Sequence, residues 1–384
     1  MPRPIYLDNN ATTPVDKRVL EAMMPFFVED FGNPSSRTHA YGWAADEAIA
    51  RAREQVAALI SGEPERVVFT SGATEAINLA IKGIARAQSR KGRHVIVTQT
   101  EHRAVLDVCR SLERDGFEVT YLPVDQAGII DVYLLQETIR DDTILVGVIW
   151  ANNETGVIQP IDEIAEIVRA KRCLLLSDST QAVGKIPVSA SQADLLTISA
   201  HKFYGPKGVG ALYLGGGRPI IRLTSQIDGG GQEGGLRGGT LNTPGIVGLG
   251  MAADIALHEM EAEGLRIAQL RDRLESTITE RLEGTRVNGA GSPRLPHTTS
   301  IRFPGVSAGK LIPQLHELAV SAGSACSSGS GRPSHVLKAL GLTDEEAGAS
   351  IRMGLGRFTT EAEIDTALDA IVNKVETQWT LSPS

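Results

Sequence analysis

The sequence predicts an α/β protein: a mainly parallel sheet covered by helices on both faces, followed by a smaller α/β domain. Three observations lead there. From about residue 41 to 215, helix-patterned stretches alternate with short runs rich in Val, Ile and Leu. Those runs are near-continuously apolar, as strands buried on both faces must be. A glycine-dense stretch, residues 228–240, then breaks the pattern, and the strands and helices beyond it are shorter and mixed.

In chain order, residues 1–15 are too short to fold alone and are expected to dock on one of the two units. Val67-Val68-Phe69-Thr70 is the first strand of the sheet, built from β-branched and aromatic residues, and leads into a helix over 76–87. His94-Val95-Ile96-Val97-Thr98, Val119-Thr120-Tyr121-Leu122, residues 144–150, Leu174-Leu175-Leu176 and residues 195–198 follow. Helical stretches separate them, as parallel pairing requires of its crossovers. After the glycines, Glu, Arg and Leu at helical spacing predict one long helix over 244–283. Strands at 299–303, 319–322 and 350–355 alternate with helices from 308, from 333 and over 360–377. The expected division is a large unit, residues 15–255, and a small one made of residues 1–14 and 256–384.

Bulk properties exclude several functions. The 384 residues are 42% hydrophobic and 22% charged with net charge −8, so the chain has a globular composition and no electrostatic footprint for direct nucleic-acid binding. Met1-Pro2-Arg3-Pro4-Ile5-Tyr6 lacks the apolar core of a signal peptide, and the longest apolar stretch, 144–151, is far short of a membrane span. A cytoplasmic protein with no membrane contact is expected. The three cysteines, Cys109, Cys173 and Cys326, show no CxxC and no Cys/His ligand spacing, which argues against disulfides and a bound metal. Cys109 in an amphipathic helix and Cys173 at the start of an apolar strand read as core residues.

The chemistry-bearing residues sit at strand ends, where α/β sheets place ligands. Asp178 ends one apolar run, and Lys202 follows another in Ser199-Ala200-His201-Lys202-Phe203-Tyr204-Gly205. Asp178 alone would read equally as a helix cap and Lys202 as a solvated lysine. Together they are what pyridoxal 5'-phosphate (PLP) needs, an amine for a Schiff base and a carboxylate for the pyridine nitrogen. Ser71-Gly72-Ala73-Thr74-Glu75 opens a helix after a strand, giving free N–H groups and a hydroxyl suited to a phosphate or, more plainly, an ordinary cap. His102 could stack on a flat ligand and exchange protons with it, and the Asn153 amide could bind a substrate carboxylate or a phenolate. Arg352 reads as a carboxylate clamp or as a structural ion pair. Cys326 lies among small residues, Ser321-Ala322-Gly323-Ser324-Ala325-Cys326-Ser327-Ser328-Gly329, with hardly any apolar neighbour. It is a candidate nucleophile, against the plainer reading of an incidental surface thiol.

Read together, the segments Tyr6-Leu7-Asp8-Asn9-Asn10-Ala11-Thr12-Thr13, Phe31-Gly32-Asn33-Pro34-Ser35-Ser36, Thr70-Ser71-Gly72-Ala73-Thr74-Glu75, Asn152-Asn153-Glu154-Thr155-Gly156, His201-Lys202, Gly323-Ser324-Ala325-Cys326 and Arg357-Phe358-Thr359-Thr360 resemble the cysteine desulfurase family, class V of the fold type I PLP-dependent enzymes, in its NifS/IscS branch. The resemblance covers nearly the whole chain. It implies a transferase with a seven-stranded sheet that takes L-cysteine, forms a homodimer and delivers sulfur to an acceptor such as an iron-sulfur scaffold. By resemblance, Lys202 carries the cofactor and moves protons, His102 stacks on the ring, Asp178 pairs with its nitrogen and Gln181 with its phenolic oxygen. Ala73, Thr74, Ser199 and His201 hold the phosphate, with Thr240 of the second subunit. Asn153 and Arg352 hold the substrate carboxylate, and Cys326 takes the sulfur as a persulfide while alanine leaves. Two positions depart from the family: Ala200 is often glycine there, and Gly234 is usually arginine. A selenocysteine lyase or cystine C-S lyase on the same fold, or a weakly catalytic sulfur-delivery or scaffold-binding protein, are the alternatives.

Overall fold

The structure is a computed structural model and describes residues 3–215, 221–323 and 333–381. After β1 (Ile5–Tyr6), helices α1 (Lys17–Met23), α2 (Pro25–Val28) and α3 (Ala40–Leu59) precede the main sheet. Its strands are β2 (Val67–Thr70), β3 (His94–Thr98), β4 (Glu118–Leu122), β5 (Thr143–Ile149), β6 (Leu174–Asp178), β7 (Leu195–Ser199) and β8 (Gly210–Leu214). The helices between them are α4 (Ala73–Gln88), α5 (Arg103–Arg114), α6 (Val132–Thr138) and α7 (Ile161–Ala170).

The seven strands are ordered β2-β8-β7-β6-β5-β3-β4. Every pairing from β4 to β7 is parallel. β8 alone is reversed, pairing antiparallel with both β2 and β7. The six predicted strand runs all lie in this sheet; the reversed strand is the one the reading passed over. Its run, Gly210-Ala-Leu-Tyr-Leu, starts with glycine and has no crossover helix before it.

Helix α8 (Thr243–Arg281) then leads to β9 (Arg286–Val287), β10 (Thr298–Arg302), α9 (Ala308–Leu311), β11 (Leu318–Ala319), α10 (His335–Ala339), α11 (Asp344–Gly348), β12 (Ser350–Gly354) and α12 (Glu361–Leu381). β12, β10 and β9 form a three-stranded antiparallel sheet, and β1 pairs parallel with β11. The helix expected from residue 333 is two short ones, because Gly341 at φ +87 ends the first.

Burial sorts the side chains into separate cores. One gathers Phe69, Ile96, Val146 and Leu196 on one face of the main sheet with Ile49, Val56, Ile246 and Leu249 of α3 and α8. Another lies on the opposite face with Ile77, Leu79 and Ile84 of α4 and Leu106, Cys109 and Leu112 of α5. The third gathers Leu7, Ile301, Met353, Ile364 and Ile371 with Ile267, Leu270, Leu274 and Ile278 from the second half of α8. Cys109 and Cys173 are both buried, and that burial pushes their thiols up to about 12 and about 11. They are unreactive packing residues.

Candidate active site

The strand ends β2, β3, β5, β6 and β7 open into one cavity of about 520 Å³. At the β2 end the chain turns through Gly72, at φ +147, into α4. No side chain caps this helix, and the N–H groups of Ala73, Thr74 and Glu75 meet no acceptor among the described residues. Such an end favours an anion through its free donors and the helix dipole. Strand β8 passes directly beneath: a Cβ on Gly210 would lie 2.7 Å from the Gly72 Cα. Ser199, at the end of β7, and His201 complete the wall. The His201 Nδ1 meets the Thr12 hydroxyl at 3.1 Å, and burial, aided by Lys202 and Lys207, pushes this imidazole down to about 4. It is neutral at pH 7 and can serve as a hydrogen-bonding partner without adding charge.

Asp178 is buried at the β6 end, and its Oδ1 accepts the Thr180 N–H (3.1 Å), the Thr180 hydroxyl (2.5 Å) and the Thr197 hydroxyl (2.8 Å). Three neutral donors on one oxygen fix the carboxylate plane while supplying no countercharge. The Lys202 Nζ donates to the carbonyls of Asn10 (2.6 Å) and Ala11 (2.8 Å), and the Gln181 amide donates to Asn10 O (3.0 Å). His102 caps α5: its Nδ1 accepts the Ala104 N–H at 3.1 Å, which places the ring proton on Nε2. Burial lowers its pKa, so the neutral ring is favoured.

Asn153 follows β5 and lines the cavity, as does Arg352, which reaches it from β12 of the other sheet. The Arg352 guanidinium is 2% exposed and splits its donors, Nη1 to Asn153 O (3.1 Å) and Nη2 to Asp8 Oδ1 (2.6 Å), with Nε buried and unpartnered. Of the two readings of this residue, the structural ion pair is present, made by Nη2 with Asp8.

The cavity brings together Ala73, Thr74, His102, Asn153, Asp178, Gln181, Ser199, His201, Lys202 and Arg352. Thr240 is exposed and is not among the lining residues. Cys326 lies outside the described residues; the chain on its near side ends at Gly323, and on its far side Ser334 donates to the buried Glu154 at 2.5 Å. Four polar lining groups escaped the residue-by-residue reading: Asn10 and Thr12 of the N-terminal arm, Thr180 and Lys207. The arm has no periodicity to flag it; its polar density, Asp8-Asn9-Asn10-Ala11-Thr12-Thr13, was the available signal. Of the departures, Ala200 is fully buried, and Gly234 holds φ +63, a backbone region that side chains other than glycine rarely adopt.

Comparison with known proteins identifies the family and the fold. The model of the class-V aminotransferase family matches residues 5–367. A protein of Anaeromyxobacter sp. (strain Fw109-5) named cysteine desulfurase IscS is 50% identical over 382 residues, 99% of this chain and 94% of that one. Among solved structures, a NifS-like protein superposes with a TM-score of 0.89 at 38% identity, covering 97% of this chain and 100% of that chain. SspA in complex with cysteine superposes with a TM-score of 0.82, also at 38% identity, over 92% of this chain and 99% of its own.

Proposed function

This chain belongs to the class-V aminotransferase family, and from that premise we propose that it is a PLP-dependent cysteine desulfurase, converting L-cysteine to L-alanine and passing the sulfur to Cys326 as a persulfide. The observation that carries the reading is the convergence of an uncapped helix end, a buried carboxylate, a lysine and a buried arginine on one cavity. The donor set fits the cofactor. The N–H groups at Ala73 and Thr74, with Ser199 and His201, suit its phosphate; Asp178 suits its ring nitrogen and Gln181 its phenolic oxygen. Bound there, PLP supplies an electron sink for the pair released at the substrate's Cα.

The protein's own groups divide the remaining tasks. Asp178, fixed by three neutral donors, presents its charge to the ring nitrogen. His102, lining the cavity, would face the ring and offer its Nε2 proton. Lys202 takes the proton from the substrate's Cα and returns it. Asn153 and Arg352 hold the substrate carboxylate, the latter already oriented by Asp8. The Cys326 sulfur then bonds to the substrate sulfur as the carbon–sulfur bond breaks; carbon keeps the electron pair and gains a proton to become the methyl of alanine. Sulfur is oxidised to the persulfide level as carbon is reduced, so no outside oxidant enters.

The reading includes a cytoplasmic homodimer in which Thr240 completes the partner's phosphate site, and a sulfur acceptor such as an iron-sulfur scaffold. Exposed Leu20, Met24, Phe27, Val28, Phe31, Tyr41 and Trp43 support the dimer, since few monomers leave so much apolar surface in one stretch. Among the described residues no helix is long and apolar enough to cross a membrane. The separate cores support a large unit at 15–255 and a small one at 1–14 and 256–384.

The test is mass spectrometry of the Cys326 peptide after exposure to L-cysteine, with alanine measured alongside. One added sulfur per alanine is expected, and Cys326→Ala should abolish turnover in the absence of added thiol. Undiminished alanine from that variant would instead favour an enzyme of the selenocysteine lyase kind, which does not need Cys326 as acceptor, and pyruvate in place of alanine would identify a C-S lyase. A wild-type chain that makes no alanine would leave the sulfur-delivery or scaffold-binding reading.

A further inference from the structure

Glu101 sits one residue before His102 and takes no part in the chemistry assigned above. It is 1% exposed. Both of its donors converge on one oxygen: the Thr98 hydroxyl at 2.7 Å and the Ile149 N–H at 2.6 Å reach Oε1, while the buried Oε2 meets no partner. No ion pair joins it to a cation among the described residues. Two neutral donors on one oxygen and none on the other is the pattern of a carboxylic acid, whose carbonyl accepts and whose hydroxyl carries the proton. An ionised group so placed would leave a bare, buried negative oxygen, far costlier than an unpaired neutral hydroxyl.

The connections made by this side chain lead to the site. Thr98 ends β3 and Ile149 ends β5, so the carboxyl ties two strand ends together. Ile149 lines the cavity and pairs in register with Asp178, and the next N–H, of Trp150, donates to Asp178 O at 2.9 Å. The Glu101 carbonyl also meets His335 Nε2 at 3.0 Å.

We propose that Glu101 is a positioning residue, an uncharged carboxylic acid that locks β3 to β5 beneath the cavity and so sets the placement of His102 and Asp178. Its neutrality keeps a second negative charge from the floor beneath Asp178. Burial, with Asp178 adding to it, pushes the carboxyl up to about 8. The titratable groups around it are Asp178 of β6, His102 at the head of α5, Cys109 within α5 and His335 of α10; the Cys109 thiol is itself held neutral by burial. The inference rests on the cavity being the PLP site.

Glu101→Gln keeps the shape of the neutral acid, and Glu101→Ala removes it. In the full-length holoenzyme, the Gln variant should release PLP on dilution within about twofold of wild type, and the Ala variant about tenfold faster, as the strand ends lose their tie. The thermal midpoint as a function of pH separates positioning from mere packing. An unfolded glutamate titrates near about 4.3, and this one in the fold near about 8. Between those values the native protein binds the extra proton, so wild type loses stability across that window as pH rises. Glutamine cannot ionise, so its midpoint minus that of wild type should climb through the window and level off above it. A flat difference, or a Gln variant that sheds PLP as fast as Ala, overturns the proposal. If the Ala variant does not fold, the Gln comparison decides alone. Failure of the desulfurase reading would appear separately, as holoenzyme that makes no alanine while the midpoint difference persists.

Discussion

Arg352 is held by the structure on two sides, and its proposed hold on the substrate carboxylate can be tested directly. Its fork spans Asn153 O and Asp8 Oδ1, contacts that a lysine's single ammonium cannot make at once. Arg352→Lys should therefore raise KM for L-cysteine by roughly tenfold or more, since a hydrogen bond to a charged group contributes about 1.5–3 kcal/mol. Steady-state kinetics with L-cysteine would show it; an unchanged KM would place the carboxylate elsewhere. Asp178 illustrates a different economy. Its Oδ1 is saturated by Thr180 and Thr197, which no spacing rule links to it, yet the carboxylate itself was legible because it closes an apolar strand.

At the level of elements, the parallel strands and the long helix α8 could be read because periodicity and length reinforce each other there. The reversed β8 could not, for want of any crossover signal, and it matters to the site more than its length suggests. Gly210 in β8 lies against Gly72 at the head of α4, so the width of the cavity at that uncapped helix end depends on a strand that contributes no polar group to it. Gly210→Ala should lower the unfolding free energy by roughly 1–3 kcal/mol, the usual cost of overpacking, and weaken PLP retention with it. Urea unfolding with cofactor release measures both. Stability within error of wild type would mean that β8 can yield without disturbing that helix end. The N-terminal arm was the larger omission: Asn10 O meets both Lys202 and Gln181, contacts across 192 and 171 positions that local sequence does not announce.

Over the whole molecule, the stretch from α1 to the start of α3 leaves large apolar side chains facing outward, with the Phe31 and Tyr41 rings 5.4 Å apart and Trp43 58% exposed. Interfaces concentrate their binding energy in such aromatics, each worth about 2 kcal/mol or more when central. On the dimer proposed above, Phe31→Asp combined with Trp43→Ser should shift the protein towards monomer in sedimentation at micromolar concentration, with weaker PLP retention if Thr240 completes the partner's site. A double variant that stays dimeric would move the interface to another face. The pairing of Asp8 with Arg352 spans 344 positions and has a consequence in time as well as in space. A ribosome delivers the arm first and its partner almost last, so the main sheet can be complete while the pair of Asp8 and Arg352 at the cavity still lacks half its parts. A nascent or truncated chain that stops before β12 would therefore fold over much of its length with one wall of the cavity missing.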